Sequence, residues 1–359
     1  MTPLAILGWA VIHSLWQGAL IAALAALAMS LLRDRHARLR YAIGCAGLAL
    51  MVVMPTLTAI AKANVLDSGT RRRVVLIVER AVGLPTVLGW RAVVVPAAAG
   101  LWLFGVTVYA VRIGPEVRRA RALRRHDLDG PGDDARSALL ELLKQMRVAA
   151  AVDVFRSTRA GVPMVVGWRR PLILLPAGST ARLTAEQMRA VLAHELAHVR
   201  RRDYLLNLFQ LAADALLIHH PAAQWLSRRV RVEREYCCDD EAAAIARDPV
   251  QYARALEAIE ESRGECRLVV AAGSGTLLDR IQRIAGVPRP ILTPIHASIA
   301  LAGAATFAAV LLVFVAAVPP SLPLDVKMRT RMPAPAASQQ NPSHETLPRK
   351  MSSASGPSR

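Results

Sequence analysis

The chain has 359 residues, of which 53% are hydrophobic and only 4% aromatic, with a mean hydropathy of +0.32 and a formal net charge of +18. This length allows two or three modules, and an apolar content drawn from Ala, Leu and Val excludes one large soluble core in favour of membrane helices. The positive charge invites a nucleic-acid reading, but the arginines cluster beside apolar stretches and fit anchoring to anionic lipid instead, so no direct nucleic-acid partner is expected.

In chain order, Leu4 to Leu32 carries no formal charge and is long enough to span a bilayer. Its first part is partly polar through His13, Ser14 and Gln17, and without a basic leader or a cleavage site it reads as a retained helix. Arg33, Arg35, Arg38 and Arg40 fill a turn, and Tyr41 to Ala61 returns as a second span. The positive-inside rule puts that turn in the cytoplasm and the N-terminus outside. Residues 62–92 read as an external loop, although their five arginines argue against that side. Val93 to Val111 is the third span, followed by Arg112, Arg118, Arg119, Arg121, Arg124 and Arg125, the strongest cytoplasmic signal in the chain.

A Gly/Pro/Asp linker at 127–134 opens a soluble region that starts with a helix at Ala135 to Arg147. Strand patterns follow in VDVFRS, VPMVVGW and LILLP, with a turn at Trp168 to Pro171. Either Val162 to Val166 or Leu172 to Leu175 offers an edge on which an extended peptide could add, the alternative being a simple packing hairpin.

Leu183-Thr184-Ala185-Glu186-Gln187 is a capping box that opens a helix containing VLAHELAHVRRR. His194 and His198 are four apart and share a helix face, so both imidazoles can reach one zinc ion, with Glu195 beside them. In that HExxH arrangement Glu195 is the candidate general base, taking a proton from a water whose pKa the zinc lowers toward roughly 7. The competing reading is an amphipathic helix with two satisfied core histidines.

Tyr204 to Ile218 is apolar yet carries Asn207, Gln210 and Asp214 at helical spacing, and is short for a full span; it reads as a buried or membrane-dipping helix. His219 and His220 close it before Pro221, as helix-end features or as a third ligand. Ala222 to Ala246 is a long charged helix. A carboxylate from it would complete a His2Glu site with one open position, but spacing alone does not choose among Glu233, Glu235 and Glu241. With Glu235 as ligand, Asp239 one turn later is placed to orient a histidine. Cys237 and Cys238 are either further ligands or small buried helix residues, and Cys45, Cys237, Cys238 and Cys266 form neither a CxxC pair nor a disulfide framework.

Gln251 to Ser262 and LLDRIQRI at 277–284 are amphipathic helices, and Ala297 to Val318 is a fourth span whose flanking charges do not set its direction. Residues 319–359, rich in Pro, Ser and Ala, are expected to be a disordered external tail.

HSLWQG, HELAHVRRRD, EREYCCDDEA and LLDRIQRI, in that order, resemble the BlaR/MecR-type membrane metallopeptidases, the sensor-transducers of inducible β-lactam resistance. The resemblance implies a mainly α, polytopic membrane protein. Its four transmembrane helices would carry a cytoplasmic α+β gluzincin-like protease domain at 112–296, between the third and the fourth. It further implies Zn2+ held by His194, His198 and Glu235, Glu195 as catalytic base, and Asp239 orienting a ligand. The expected protein substrate is a transcriptional repressor or the chain itself. The β-lactam sensors carry an external penicillin-binding domain with an SxxK motif after the last span. The 41 residues after Val318 contain no SxxK, so a stimulus is expected to arrive through an external sensor partner, the 62–92 loop or membrane lipid. Two other readings share features with this one: a quality-control protease of the HtpX and CAAX-prenyl-protease group, and a non-catalytic membrane scaffold.

Overall fold

The computed structural model describes residues 2–32, 36–64, 85–124, 128–180, 183–246, 248–263 and 277–287. The expected fourth span at 297–318, the tail at 319–359 and Cys266 lie outside them, as does most of the 62–92 loop.

Three described helices are long and apolar enough to cross a membrane: α1 (Pro3–Ser30), α2 (Ala37–Asn64, apolar over Ala37–Ala61) and α3 (Pro85–Ala122, apolar over Val93–Ala120). Thr2 caps α1, its hydroxyl accepting from the Ala5 N–H, with Pro3 in the first turn where its missing N–H costs nothing. The buried face of α1 is small and polar, with Gly8, Ala10, Ser14, Gln17, Gly18, Ala22 and Ala25, while Leu15, Leu20, Leu24 and Leu27 point outward. Small residues let backbones approach closely where apolar solvent gives no hydrophobic drive between helices. At Gly8 a Cβ would lie 2.0 Å from the Val95 carbonyl oxygen of α3, so only glycine permits that crossing.

Two boundaries differ from the sequence reading. Residues 62–64 and 85–92 are helical rather than loop, because Pro85 is tolerated in a first turn and starts α3 early. The third span also does not stop at Val111: α3 continues through Arg112, Arg118, Arg119 and Arg121 to Ala122, since arginine is a good helix former and Pro115 does not end it.

Beyond α3 a four-stranded sheet has the order β1-β2-β4-β3, from β1 (Leu128–Asp129), β2 (Asp153–Ser157), β3 (Met164–Val166) and β4 (Leu172–Pro176). β2 and β4 run parallel; β1 on β2 and β3 on β4 are antiparallel. The buried run Leu172–Leu175 reads as an interior strand, and it lies between β2 and β3. Its backbone groups are therefore already paired, which removes Leu172–Leu175 as an edge for an added peptide and leaves β3 on the border.

The remaining helices are α4 (Asp133–Gln145), the short α5 (Ala177–Thr180), α6 (Ala185–Arg200), α7 (Asp203–Leu216), α8 (Pro221–Ile245), α9 (Pro249–Arg263) and α10 (Leu277–Ile284). The expected capping box opens α6: the Thr184 hydroxyl accepts from the Gln187 N–H at 3.3 Å, and the Thr184 N–H donates to the Gln187 side chain at 2.9 Å. One apolar core joins α4, β2, β4, α6, α8 and α9 around Leu142, Ile173, Leu192, Leu196 and Tyr252. A second joins α1, α2 and α8 around Leu48, Met51, Leu226 and Val230. Helix α8 belongs to both, so it links the apolar helices to the sheet domain.

Candidate metal centre

Helices α6 and α8 pack against each other and supply the central groups. His194 and His198 project from one face of α6, their rings edge to face with centroids 4.9 Å apart. Opposite them on α8, a Glu235 oxygen stands 3.5 Å from His194 Nε2 and the other 4.0 Å from His198 Nε2. One donor atom from each of the three lies within 4.8 Å of the others. Two ligands held about 2.0–2.1 Å from a tetrahedral zinc are about 3.4 Å apart, so this trio is of the right size.

The packing separates the three glutamates that spacing left equal. Glu233 is buried between Arg40 of α2 at 2.9 Å and Arg229 at 2.6 Å, and Glu241 between Arg38 at 3.1 Å and Arg200 at 2.8 Å. Only Glu235 of the three faces the histidines. His219 and His220 are elsewhere, against α1: His219 Nε2 is 2.9 Å from the Ser14 hydroxyl and His220 Nε2 is 3.0 Å from the Leu15 carbonyl oxygen.

The far nitrogen of each histidine is also held. His194 Nδ1 lies 2.9 Å from the Tyr252 hydroxyl and 3.3 Å from Asp239 Oδ1, and that hydroxyl donates to Asp239 at 2.6 Å. His198 Nδ1 is 2.8 Å from Asp203 Oδ2. With Nδ1 engaged on both rings, Nε2 is turned toward Glu235, the arrangement that orients metal-binding histidines. Sequence reasoning named Asp239 but assigned no role to Asp203, Tyr252 or Arg280. Asp203 stood in the quoted HELAHVRRRD stretch, yet its role depends on Arg202, whose φ of 57° reverses the chain and brings Asp203 back beneath His198.

Arg280 of α10 grips Asp239 with two hydrogen bonds of 2.9 and 2.6 Å and approaches Glu235 to 3.9 Å. Burial disfavours the Asp239 carboxylate, but the Arg280 charge and hydrogen bonds overcome it and hold its pKa well below the usual range. Burial also disfavours a charged His194, yet the hydrogen bonds it donates to Asp239 and Glu235 push its pKa up to about 9. Glu235, likewise opposed by burial, is held low by His194, His198 and Arg280. A cation is thus stabilised between these carboxylates.

Among the described residues a second group, His198, Asp203 and Cys238, also gathers donor atoms. Its shortest separation, 2.8 Å, is a hydrogen bond, and burial pushes the Cys238 thiol well up, so it reads as support behind His198. Cys237 packs in the second core, and both cysteines are fully buried.

The trio lies in a cleft of about 310 Å³. One wall is Val162, Pro163, Met164 and Val165 leading into edge strand β3; Glu195 and Val191 come from α6, Tyr204 and Asn207 from α7, and Leu256 and Ile259 from α9. Glu195 is buried at this wall, on the same helix as both histidines.

Comparison with known proteins bears on the same residues. Over 96 residues the chain is 32% identical to the regulatory protein BlaR1 of Bacillus licheniformis; the match covers 27% of this chain and 16% of that protein's length. Residues 7–284 match the family described as BlaR1 peptidase M56, a stretch running from α1 to the end of α10. With that match covering most of the chain, the HELAH helix and the Arg280 helix included, the chain belongs to the M56 family of BlaR1-type peptidases.

Proposed function

We propose that the chain is a zinc-dependent membrane endopeptidase, with His194, His198 and Glu235 as metal ligands and Glu195 as general base. The observation that carries this is the convergence of three donor atoms, each histidine held at its far nitrogen, on a cleft walled by Glu195. The donor set fits zinc, with two imidazoles, one carboxylate and the cleft on the open side. A zinc ion held by His194, His198 and Glu235 would supply Lewis acidity to activate a water and polarise a carbonyl.

The chain's own residues supply the rest. Glu195 accepts a proton at the cleft wall and returns it to the leaving amine. β3 borders the cleft, and its place at the border of the sheet among the described residues suits an extended substrate segment added by backbone hydrogen bonds. Asp239, Tyr252 and Asp203 fix the ring orientations, and Arg280 keeps Asp239 ionised.

In this reading the protease domain faces the cytoplasm of a four-span protein of the plasma membrane, with the N-terminus and the tail after residue 318 outside. It cuts a protein substrate at the membrane face, a transcriptional repressor or its own chain, in response to an external sensor partner. The family match and the name of the BlaR1 relative support the regulatory setting. The ligand assignment is tested by measuring metal content in detergent-purified Glu235→Ala, Glu233→Ala and Glu241→Ala. Zinc is lost only from Glu235→Ala if the assignment holds; zinc retained there and lost from either other variant overturns it.

A further inference from the structure

Helices α7 and α8 form a hairpin whose tip reaches deep among the apolar helices. The Trp102 indole N–H of α3 donates to the Leu216 carbonyl oxygen at 2.7 Å, and Ile218 lies close beside Gly105. His219 meets Ser14 and His220 meets Leu15 on α1. The metal-side ends of the spans are marked by Arg38 and Arg40 of α2, which bind Glu241 and Glu233. Measured at 1.5 Å per residue, Ser14 is about 24 Å from that end of α1, and Trp102 is about 14 Å from Val111, where the charged end of α3 begins. Helix α7 itself, at 14 residues, is about 21 Å long, which lies between those two depths. These depths reach the middle of a hydrocarbon core of roughly 30 Å or beyond it, yet fall short of crossing it.

Several of the hairpin's polar groups are buried and matched, while Asn207 and Arg228 are exposed and His219 Nδ1 is buried without a hydrogen-bond partner. Gln210 donates to the Ser227 carbonyl at 2.6 Å and lies 2.7 Å from its hydroxyl, Asp214 pairs with Arg231 at 3.0 Å, and His220 caps α8 by accepting from the Ala223 N–H. Non-crossing backbone at membrane depth is tolerated only where such groups are satisfied within the protein. The outer face of α7 is a single exposed stripe of Leu205, Leu208, Phe209 and Leu216, which lie within about 100° of one another around the helix. Helix α3, to which α7 packs, exposes apolar residues of its own in Leu101, Phe104 and Val108.

We propose that α7 and α8 are a re-entrant hairpin, inserted into the bilayer from the metal-centre side, whose Leu205–Leu208–Phe209–Leu216 stripe contacts lipid acyl chains. Because Tyr204 and Asn207 in the first turn of α7 also line the cleft, the metal centre is then held within one helical turn of the lipid boundary.

The test uses the full chain in phosphatidylcholine/phosphatidylglycerol nanodiscs, with Cys45→Ala and Cys266→Ser; Cys237 and Cys238 stay, being buried. Nitroxide labels are placed one at a time by Leu205→Cys, Leu208→Cys, Phe209→Cys and Leu216→Cys, with exposed Leu140→Cys of α4 as the aqueous control. Collision rates with oxygen and with nickel-EDDA are then read by electron paramagnetic resonance. The proposal expects a mobile label whose oxygen-to-nickel ratio is severalfold above the control and climbs from 205 to 216. A ratio equal to the control means an aqueous face and overturns it. Labels shielded from both reagents mean a protein occupant, whether residues 297–318 or a second copy, and overturn it equally. No readout depends on catalysis, so failure here and failure of the protease reading are separate results.

Discussion

Asp239→Asn removes one negative charge while keeping the side chain's shape, and the structure indicates what should follow. Asp239 accepts from Tyr252, lies against His194 Nδ1 and takes two hydrogen bonds from Arg280, with only 2% of its side chain exposed. Partners that orient a metal-binding histidine typically contribute 10–100-fold to metal affinity, or about 1.4–2.8 kcal/mol. The buried Arg280 also loses its counter-charge, and breaking a buried pair from one side costs about 3–5 kcal/mol of folding stability. The variant should therefore bind zinc 10–100-fold more weakly in a chelator competition in detergent, and unfold at a clearly lower temperature. Asp240→Asn, one residue on and half exposed against Arg283, is the control and should match wild type in zinc affinity. An Asp239→Asn protein with zinc affinity within twofold of wild type would refute the reasoning that Asp239 acts through His194.

Four further outcomes follow from contacts described above. With the His194 pKa pushed up to about 9 in the metal-free site, zinc must displace a proton at neutral pH. Its affinity should then rise roughly 50-fold from pH 7 to pH 9, with proton release visible as a buffer-dependent heat of binding. The raised pKa also makes the His194 contribution to metal-free stability complete below about 6.5 and lost as pH rises through about 9, which metal-free melts across that window will show. Thr184→Ala removes the cap of α6 and should cost about 0.5–2 kcal/mol by denaturant titration without changing the zinc stoichiometry. Burial pushes the Cys237 thiol up to about 11 and Cys238 well above its usual range, so neither should react with a polar maleimide until the chain unfolds.

Local signals in the sequence carried much of this architecture. The Thr184–Gln187 capping box, the two histidines one turn apart and the limits of α10 are set by residues within a few positions of one another, so they could be read directly. Choosing among Glu233, Glu235 and Glu241 could not be done that way. The choice rests on Arg38 and Arg40, some two hundred residues earlier, which engage Glu241 and Glu233. Tyr252 and Arg280 were hidden for the same reason: each reaches Asp239 from a separate helix, and no periodicity encodes that meeting. Asp203 is the intermediate case, only five residues from His198 but brought back to it by one left-handed residue, Arg202, which no glycine announced. The extension of α3 past Val111 was missed because its arginines were read as the end of an apolar span, although charge ends a span without ending a helix.

The most direct test of the protease assignment is to produce the full chain in membranes as wild type and as Glu195→Ala, and to measure zinc stoichiometry and self-cleavage fragments in the same purified samples by mass spectrometry. The account predicts about one zinc in each, because Glu195 is not among the proposed ligands, with fragments in wild type alone. Identical fragments from Glu195→Ala, or a wild type that holds no zinc, would contradict it.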